Sequence, residues 1–366
     1  MDLVINASRE KWQTYLNVNN LYADPVGPWG FLVGVDHFGK SEYGDQQSVQ
    51  VYSSVPFGRQ VLVRASDSLR LNAQGTTIEV SGLWGDANPV GNTANLALAT
   101  NTASLRFEVS QPLWKRPDSS ILFDLALEGL NQTTDVYGST DLSDDHLRDV
   151  SVNLLGEKTG ALGRLSGSFE MLQRIDILGA SQSSDANLSR PGADPEALIF
   201  RAGMEGESAP LAGLRLYLKL DSQYSGHALT EPDEYAPGNL GIGRGYQPGS
   251  ALSDSALASA FEVRYGPFKV THGLTAQPFG FVDTVLMWNH APDAFTNQVL
   301  VSTGGGFRFQ YADKLHIDLL CAVPVKPIEG SGSTAIPGPT VLLNLTVGLN
   351  DLFNVIHRKI EAGGGK

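Results

Sequence analysis

The chain has 366 residues and a formal charge of −13, from 26 Lys and Arg against 39 Asp and Glu. This acidity argues against nucleic acid as a partner, because binding a phosphate backbone requires clustered positive charge. The single cysteine, Cys321, excludes an intrachain disulfide and a multi-cysteine metal site. No run approaches the roughly 18 apolar residues of a transmembrane helix, although strands of about 9–11 residues can also cross a membrane.

The first residues do not form a secretion signal. Met1-Asp2-Leu3-Val4 has neither the basic region nor the apolar region of a signal peptide. If the chain is exported, we therefore expect it to be a mature or shortened form. Residues 1–11 are predicted to be a lead-in to the first strand.

Strict alternation of apolar and polar residues is the main pattern in the chain. In segment 214–221, four leucines alternate with Arg215, Tyr217, Lys219 and Asp221. Successive side chains of a strand point to opposite faces, so such a strand has one apolar and one polar face. The same alternation recurs in segments 105–110, 121–128, 261–265, 307–311, 315–323 and 341–349.

The pattern along the whole chain predicts about sixteen strands, and an even number is typical of single-chain outer-membrane barrels. The predicted strands are 12–20, 28–37, 45–55, 58–65, 77–85, 103–110, 119–130, 147–156, 163–172, 196–205, 213–222, 255–265, 276–288, 300–311, 315–325 and 341–349. Connections after odd strands are mostly long, as in 131–146 and 223–254, and those after even strands are mostly short, as in 157–162. Long external loops and short periplasmic turns are typical of such barrels.

The polar faces of these strands contain many charges. A dry sandwich core could not bury them, whereas a water-filled lumen could. We therefore predict an all-β, 16-stranded antiparallel transmembrane β-barrel over residues 12–349. A soluble sandwich with this face in bulk water stays open as the alternative. The predicted lumen-lining charges are Arg106, Glu108, Asp124, Glu128, Arg215, Lys219, Glu262, Arg264 and Arg308.

The longest connection follows the eleventh strand and contains Arg244-Gly245-Tyr246. About forty residues later, the thirteenth strand contains Phe281-Val282-Asp283-Thr284-Val285. In both motifs the chain resembles the outer-membrane transporters of two-partner secretion, the hemolysin-activator and filamentous-hemagglutinin-transporter class of the Omp85 superfamily. In that family, an Arg-Gly-Tyr/Phe motif lies at the tip of the sixth external loop, which folds into the lumen. An acid in a Phe-x-Asp-x-Gly motif on the wall holds its arginine.

The resemblance therefore implies roles for five residues. Arg244, Gly245 and Tyr246 would form the lumen-loop motif, and Phe281 and Asp283 would form the partner motif on the wall. Val285 departs from the family pattern, which has glycine at this position. A guanidinium and a carboxylate can pair in a fork geometry, which suits a loop that must be held. Two alternatives stay open: that Arg244 and Asp283 never meet, or that they meet only to make the barrel rigid.

The resemblance also implies the partners. These are a secreted exoprotein of the adhesin, hemolysin or toxin type, outer-membrane lipid, and periplasmic POTRA domains. The residues before Trp12 are too few for a POTRA domain, so we expect these domains to be absent from this chain. We expect a monomer without nucleic acid or cofactor. A barrel-assembly protein of the Omp85 type and a passive porin for small solutes are the alternative functions.

An enzyme is not expected. The sequence has no Gly-x-Ser-x-Gly nucleophile motif, and the Gly304–Gly306 run precedes a strand rather than the helix of a phosphate loop. The seven histidines do not have metal-ligand spacing, and we predict no metal site. Residues 350–366 are predicted to be a tail, either a short helix or a disordered extension that ends in a linker-like Gly-Gly-Gly-Lys.

Overall fold

The computed structural model describes residues 11–39, 41–90, 97–138, 140–290, 297–312, 314–328 and 335–350. Two 3-10 turns, Asp24–Val26 and Glu231–Asp233, lie in connections. In the described ranges, no helix is long and apolar enough to cross a membrane. The strands are β1 (Trp12–Asn19), β2 (Trp29–Phe38), β3 (Asp45–Val55), β4 (Gln60–Arg70), β5 (Thr77–Ala87), β6 (Ala99–Lys115), β7 (Ser119–Val136), β8 (Thr140–Gly160), β9 (Gly163–Arg174), β10 (Leu198–Ser208), β11 (Leu214–Ser225), β12 (Ser255–Tyr265), β13 (Phe268–Thr271), β14 (Leu274–Trp288), β15 (Asn297–Tyr311), β16 (Leu315–Pro324) and β17 (Thr340–Gly348).

The sheet closes on itself. Neighbouring strands are antiparallel, and β1 pairs with both β2 and β17, with Tyr15 opposite Gly348 and Asn19 opposite Asn344. The short β13 pairs along the same edge of β14 as β12 does, so these two segments occupy one position in the barrel. The seventeen segments therefore make sixteen positions. This confirms the predicted 16-stranded antiparallel barrel and rules out the sandwich.

The prediction was wrong about one long connection. Residues 131–146 are not a loop, because β7 continues to Val136, β8 begins at Thr140, and the two strands stay paired over this part. Polar residues occupy both faces here, so the strands lack the apolar alternation that identifies a strand from sequence. β13 was also missed, because four residues are too few to show alternation. The predicted tail lies outside the described residues, apart from Asn350.

The two faces of the barrel differ in polarity. Apolar side chains such as Leu216, Phe261 and Val282 are exposed on the outer face. The five tryptophans lie near strand ends and are between 38% and 57% exposed, as an aromatic girdle at a membrane interface requires. Cys321 follows the apolar phase of β16 and is exposed too. An apolar outer face with aromatic borders suits contact with lipid.

Candidate functional site

Connection 226–254 joins β11 to β12 and contacts the inner face of the wall. We define its tip as residues 243–246. The tip lies against β12, β14, β15 and the end of β16. At this place on the wall, Asp283 of β14 has Ala260 of β12 and Ser302 of β15 as its neighbours in the sheet. The contacts of the tip with these strands are with alternate residues, which point away from the exposed apolar face, or with the strand backbone.

Arg244 and Asp283 meet in the tip. The Arg244 side chain donates from Nε to Asp283 Oδ2 at 2.9 Å and from Nη2 to Oδ1 at 2.6 Å. The backbone N–H groups of Gly243 and Arg244 donate to the same Oδ2, at 3.1 and 3.0 Å. Arg244 is 3% exposed and Asp283 is 0% exposed. The carboxylate thus binds both the guanidinium and the backbone of the tip.

Glu262 on β12 is the second anion of the site, and it faces three arginines. It accepts hydrogen bonds from Arg244 Nη1, from Arg264 Nε at 2.7 Å and from Arg308 Nη1 at 3.1 Å. Arg308 also lies 3.4 Å from Asp318 on β16. Glu262 therefore links the tip to the wall, and also links β12 to β15 independently of the tip.

Aromatic rings complete the site. The Arg244 guanidinium lies 3.6 Å above the Phe281 ring centroid, and the Arg308 guanidinium lies 4.0 Å above that of Phe279. A guanidinium at this distance is attracted by the negative face of the ring. The Phe281 and Asp283 side chains, two residues apart on one face of β14, therefore hold the same guanidinium from two sides.

Gly245 and Tyr246 fit tightly against the wall. A Cβ atom on Gly245 would lie 2.9 Å from both Pro324 N and Ser302 Cβ, so a side chain cannot be accommodated without movement. The Tyr246 hydroxyl lies 2.9 Å from the carbonyl oxygens of Val301 and Lys326. These contacts fix the tip at the ends of β15 and β16.

Val285, which departs from the family pattern, packs against the loop. It is 0% exposed and lies in an apolar cluster with Ile242, Tyr246 and Met287. Gly243 has a φ of +87°, and a Cβ there would lie 3.2 Å from Pro237 and 3.6 Å from Val285 Cγ2. The departure thus adds an apolar contact beneath the ion pair.

The other predicted charges lie elsewhere on the inner face. Arg106 on β6 lies 2.8 Å from Glu108 and 3.2 Å from Glu128, and Asp124 is a buried neighbour on β7. Of the nine predicted lumen charges, the structure brings Glu262 to the tip, and Arg264 and Arg308 to Glu262. Arg215 lies 3.7 Å from Glu207, which also pairs with Arg264, and Lys219 lines an open cavity of the wall formed by β7 to β11.

Two arginines that contact the loop, the buried Arg174 and the partly buried Arg190, were missed from the sequence. Arg174 ends β9 and binds Asp149 and Asp233, and Arg190 binds Asp254. Neither belongs to a recurring motif. The only signal in the sequence is that charged residues occur in and beside two long connections, which does not identify pairs.

Comparisons with known proteins identify relatives. Residues 36–309 match the family model for haemolysin secretion/activation protein ShlB/FhaC/HecB. Searches of the curated protein sequences gave no match.

Solved structures are similar in fold. CdiB from Escherichia coli has a TM-score of 0.81 and 13% identity, over 94% of this chain and 64% of that chain. CdiB from Acinetobacter baumannii has a TM-score of 0.69 and 12% identity, over 93% and 60%. BamA from Haemophilus ducreyi lacking POTRA domains 1–3 has a TM-score of 0.63 and 14% identity, over 93% and 70%. The chain therefore spans less than two thirds of either CdiB structure, and these low identities indicate a shared fold alone.

Proposed function

Because this chain belongs to the ShlB/FhaC/HecB family of haemolysin secretion/activation proteins, we propose that it is a protein-conducting pore that secretes a partner exoprotein. The protein is a β-barrel of the bacterial outer membrane. In the proposal, an unfolded exoprotein of the adhesin, haemolysin or toxin type passes through the lumen and folds outside. No covalent bond is made or broken.

The contact between Arg244 and Asp283 supports this proposal most directly. We infer that the loop folds into the lumen and occupies part of it while the two residues are paired. The tip must then leave the wall before a polypeptide passes, and Gly245 and Tyr246 set the position to which it returns. A constitutively open porin needs no such closure. The remaining lumen charges would together keep the wall hydrated, so that a passing chain does not adhere to it and the loss of any one of them has little effect.

The proposal includes partners outside this chain. Periplasmic POTRA domains would receive the exoprotein before it enters the barrel, and the apolar outer face would contact lipid. A single barrel would form each pore, because the sheet is closed and leaves no strand edge for a second copy.

Secretion is the test. The complete gene is expressed with a neighbouring candidate exoprotein in a Gram-negative host, and the exoprotein is measured in the medium. Arg244→Ala is compared with Arg106→Ala, which removes a guanidinium from the wall far from the tip. We expect secretion to require the barrel and to fall about tenfold in Arg244→Ala, because Asp283 and Glu262 lose a buried partner and the tip loses the fixed position to which it returns. Arg106→Ala is expected to secrete near the unsubstituted level.

Other outcomes would overturn the proposal. If the exoprotein reaches the medium without the barrel, the barrel does not secrete it. If nothing is secreted while the barrel passes small solutes freely, a passive porin is the better description. If deletion of the gene instead depletes other outer-membrane barrels, the function is barrel assembly.

A further inference from the structure

We propose that Arg174 and Arg190 are positioning residues that clamp the root of connection 226–254, so that only its inner part moves when the tip is released. We define the root as residues 229–235 together with 253–254. This inference rests on the proposed function and deepens it, since it states which part of connection 226–254 moves when the pore opens. It concerns a second attachment of the loop, separate from the contact between Arg244 and Asp283.

Arg174 joins the root to two strands. Its Nε and Nη2 atoms donate to Asp233 Oδ2 at 3.1 Å and Oδ1 at 2.5 Å, and Nη1 donates to Asp149 Oδ2 at 2.8 Å. Arg174 is the last residue of β9, and Asp149 is directly opposite it on β8. Because Arg174 is 5% exposed, water competes little for these bonds. One guanidinium thus holds the loop carboxylate against the barrel rim.

Arg190 joins the root to two other connections. It lies in connection 175–197 and binds Asp254 of the root. Its guanidinium also lies 2.9 Å from Glu234 Oε1 in the root and 3.0 Å from Asn289 Oδ1, which follows β14. Asp254 also accepts the backbone N–H groups of Leu229 at 2.7 Å and His290 at 2.6 Å. The buried Asp254 carboxylate is therefore the point at which three connections meet.

Charge and packing make the root a separate unit. Arg174 and Arg190 face four carboxylates, and Arg201 is a more distant third guanidinium, 3.9 Å from Asp233. The loss of Arg174 or Arg190 therefore removes the nearest cationic partner of a buried negative charge, which is costly. Leu229 is 0% exposed and packs with Leu172 and Ile199 on the wall. The root thus has an apolar contact and ion pairs that do not involve the tip.

A short antiparallel bridge separates the root from the tip. Tyr235 N donates to Ser253 O at 2.7 Å, and Ser253 N donates to Tyr235 O at 3.1 Å. With the root clamped, the freed segment is only the part between these two residues. A shorter tether keeps Arg244 at a higher effective concentration near Asp283 and favours return of the tip. The loop then opens as a tethered flap and does not leave the barrel as a whole.

The experiment measures the two attachments independently. Single cysteines are introduced in a Cys321→Ser background. Val285→Cys reports on the tip, which covers this position on β14, and Leu229→Cys reports on the root, in which it lies. Both side chains are fully buried, so a thiol there reacts only when the segment that covers it moves. Each barrel, in outer-membrane fractions, is treated with a membrane-impermeant charged thiosulfonate, and the labelling rate is measured. Heat-dependent gel mobility verifies that each barrel is folded.

We expect Arg244→Gln to raise labelling at position 285 at least about tenfold and to leave position 229 slow, because the root ion pairs remain. The double variant Arg174→Gln, Arg190→Gln is expected to raise labelling at both positions. The matched control Arg106→Gln, which breaks a wall ion pair away from the loop, is expected to change neither rate. If the double variant does not fold, Arg174→Lys with Arg190→Lys is used instead. Lysine keeps the positive charge but cannot form the two parallel hydrogen bonds of a guanidinium, so position 229 should still be labelled faster than in the protein with both arginines.

The proposal is wrong if Arg244→Gln exposes positions 229 and 285 equally, since the loop would then leave as one piece. It is also wrong if loss of Arg174 and Arg190 leaves position 229 slow. Neither result depends on secretion. A pore that secretes but fails these labelling tests would therefore refute the root clamp and leave the proposed function standing.

Discussion

Arg244 and Asp283 are joined by two side-chain hydrogen bonds, of 2.6 and 2.9 Å, and the same carboxylate accepts two backbone N–H groups of the tip. The contact is therefore more than a charge pair. The Asp283 carboxylate on β14 accepts hydrogen bonds from backbone N–H groups as well as from the guanidinium. A substitution at position 283 therefore restores the contact only if it provides an acceptor for both.

Exchange of the two charges is expected to fail as a rescue. Arg244→Asp with Asp283→Arg restores opposite charges, but an arginine on β14 offers only donors to the N–H groups of Gly243 and residue 244. We expect the exchanged protein to open in planar bilayers as often as either single variant. Restoration of the closed state would show that charge alone holds the tip.

Gly245→Ala is expected to displace the tip. The added methyl group would lie 2.9 Å from atoms of Pro324 and Ser302, one of them backbone. The matched control is Gly241→Ala in the same connection, where the nearest atom lies at 3.5 Å. Channel openings in bilayers should increase about tenfold for the first variant and little for the second, as expected when overpacking costs roughly 1–3 kcal/mol. Equal openings in both would mean that Gly245 is not closely packed in the closed state.

Some of this site was predictable from sequence, and some was not. Alternation identified nearly all strands because each has one face toward lipid and one toward water. Arg244 and Asp283 were identified because both stand in motifs whose order along the chain is recognisable. Arg174 and Asp233 lie 59 residues apart and belong to no motif. Their pairing depends on where two long connections cross the rim, which no local pattern encodes.

Glu262→Gln and Asp283→Asn are expected to differ in their effect on the barrel. The Glu262 carboxylate holds Arg264 and Arg308 in addition to Arg244, so its loss leaves three guanidiniums close together. The bonds of Asp283 described above all lead to the tip. Thermal unfolding in detergent should therefore show a clear drop in midpoint for Glu262→Gln and a small one for Asp283→Asn. Both variants should open more often in bilayers. Equal drops in midpoint would show that Asp283 also stabilises the wall.

Acidification is expected to stabilise the root through Glu234. Burial raises the pKa of Glu234 to about 7, against an ordinary value of 4.5; Arg190 lowers it, and Asp254 and Glu231 raise it further. The folded root therefore retains a proton that the released root loses at lower pH. The contribution of Glu234 is fully present below pH 4.5 and is lost as pH rises to about 7. Glutamine keeps an acceptor for Arg190 and cannot titrate.

The measurement compares thiol labelling at position 229 in two proteins, at pH 5 and pH 8. One carries only Leu229→Cys and Cys321→Ser, and the other carries Glu234→Gln in addition. Labelling is corrected for the pH dependence of thiol reactivity with a denatured sample. We expect the root with Glu234 to open more readily at pH 8 than at pH 5, by at most about 3 kcal/mol, and the glutamine variant to show a smaller difference. Because the other carboxylates are present in both proteins, the difference between them reports the contribution of Glu234, including its coupling to Asp254 and Glu231. Identical pH profiles would show that Glu234 remains ionised in the closed root throughout this range.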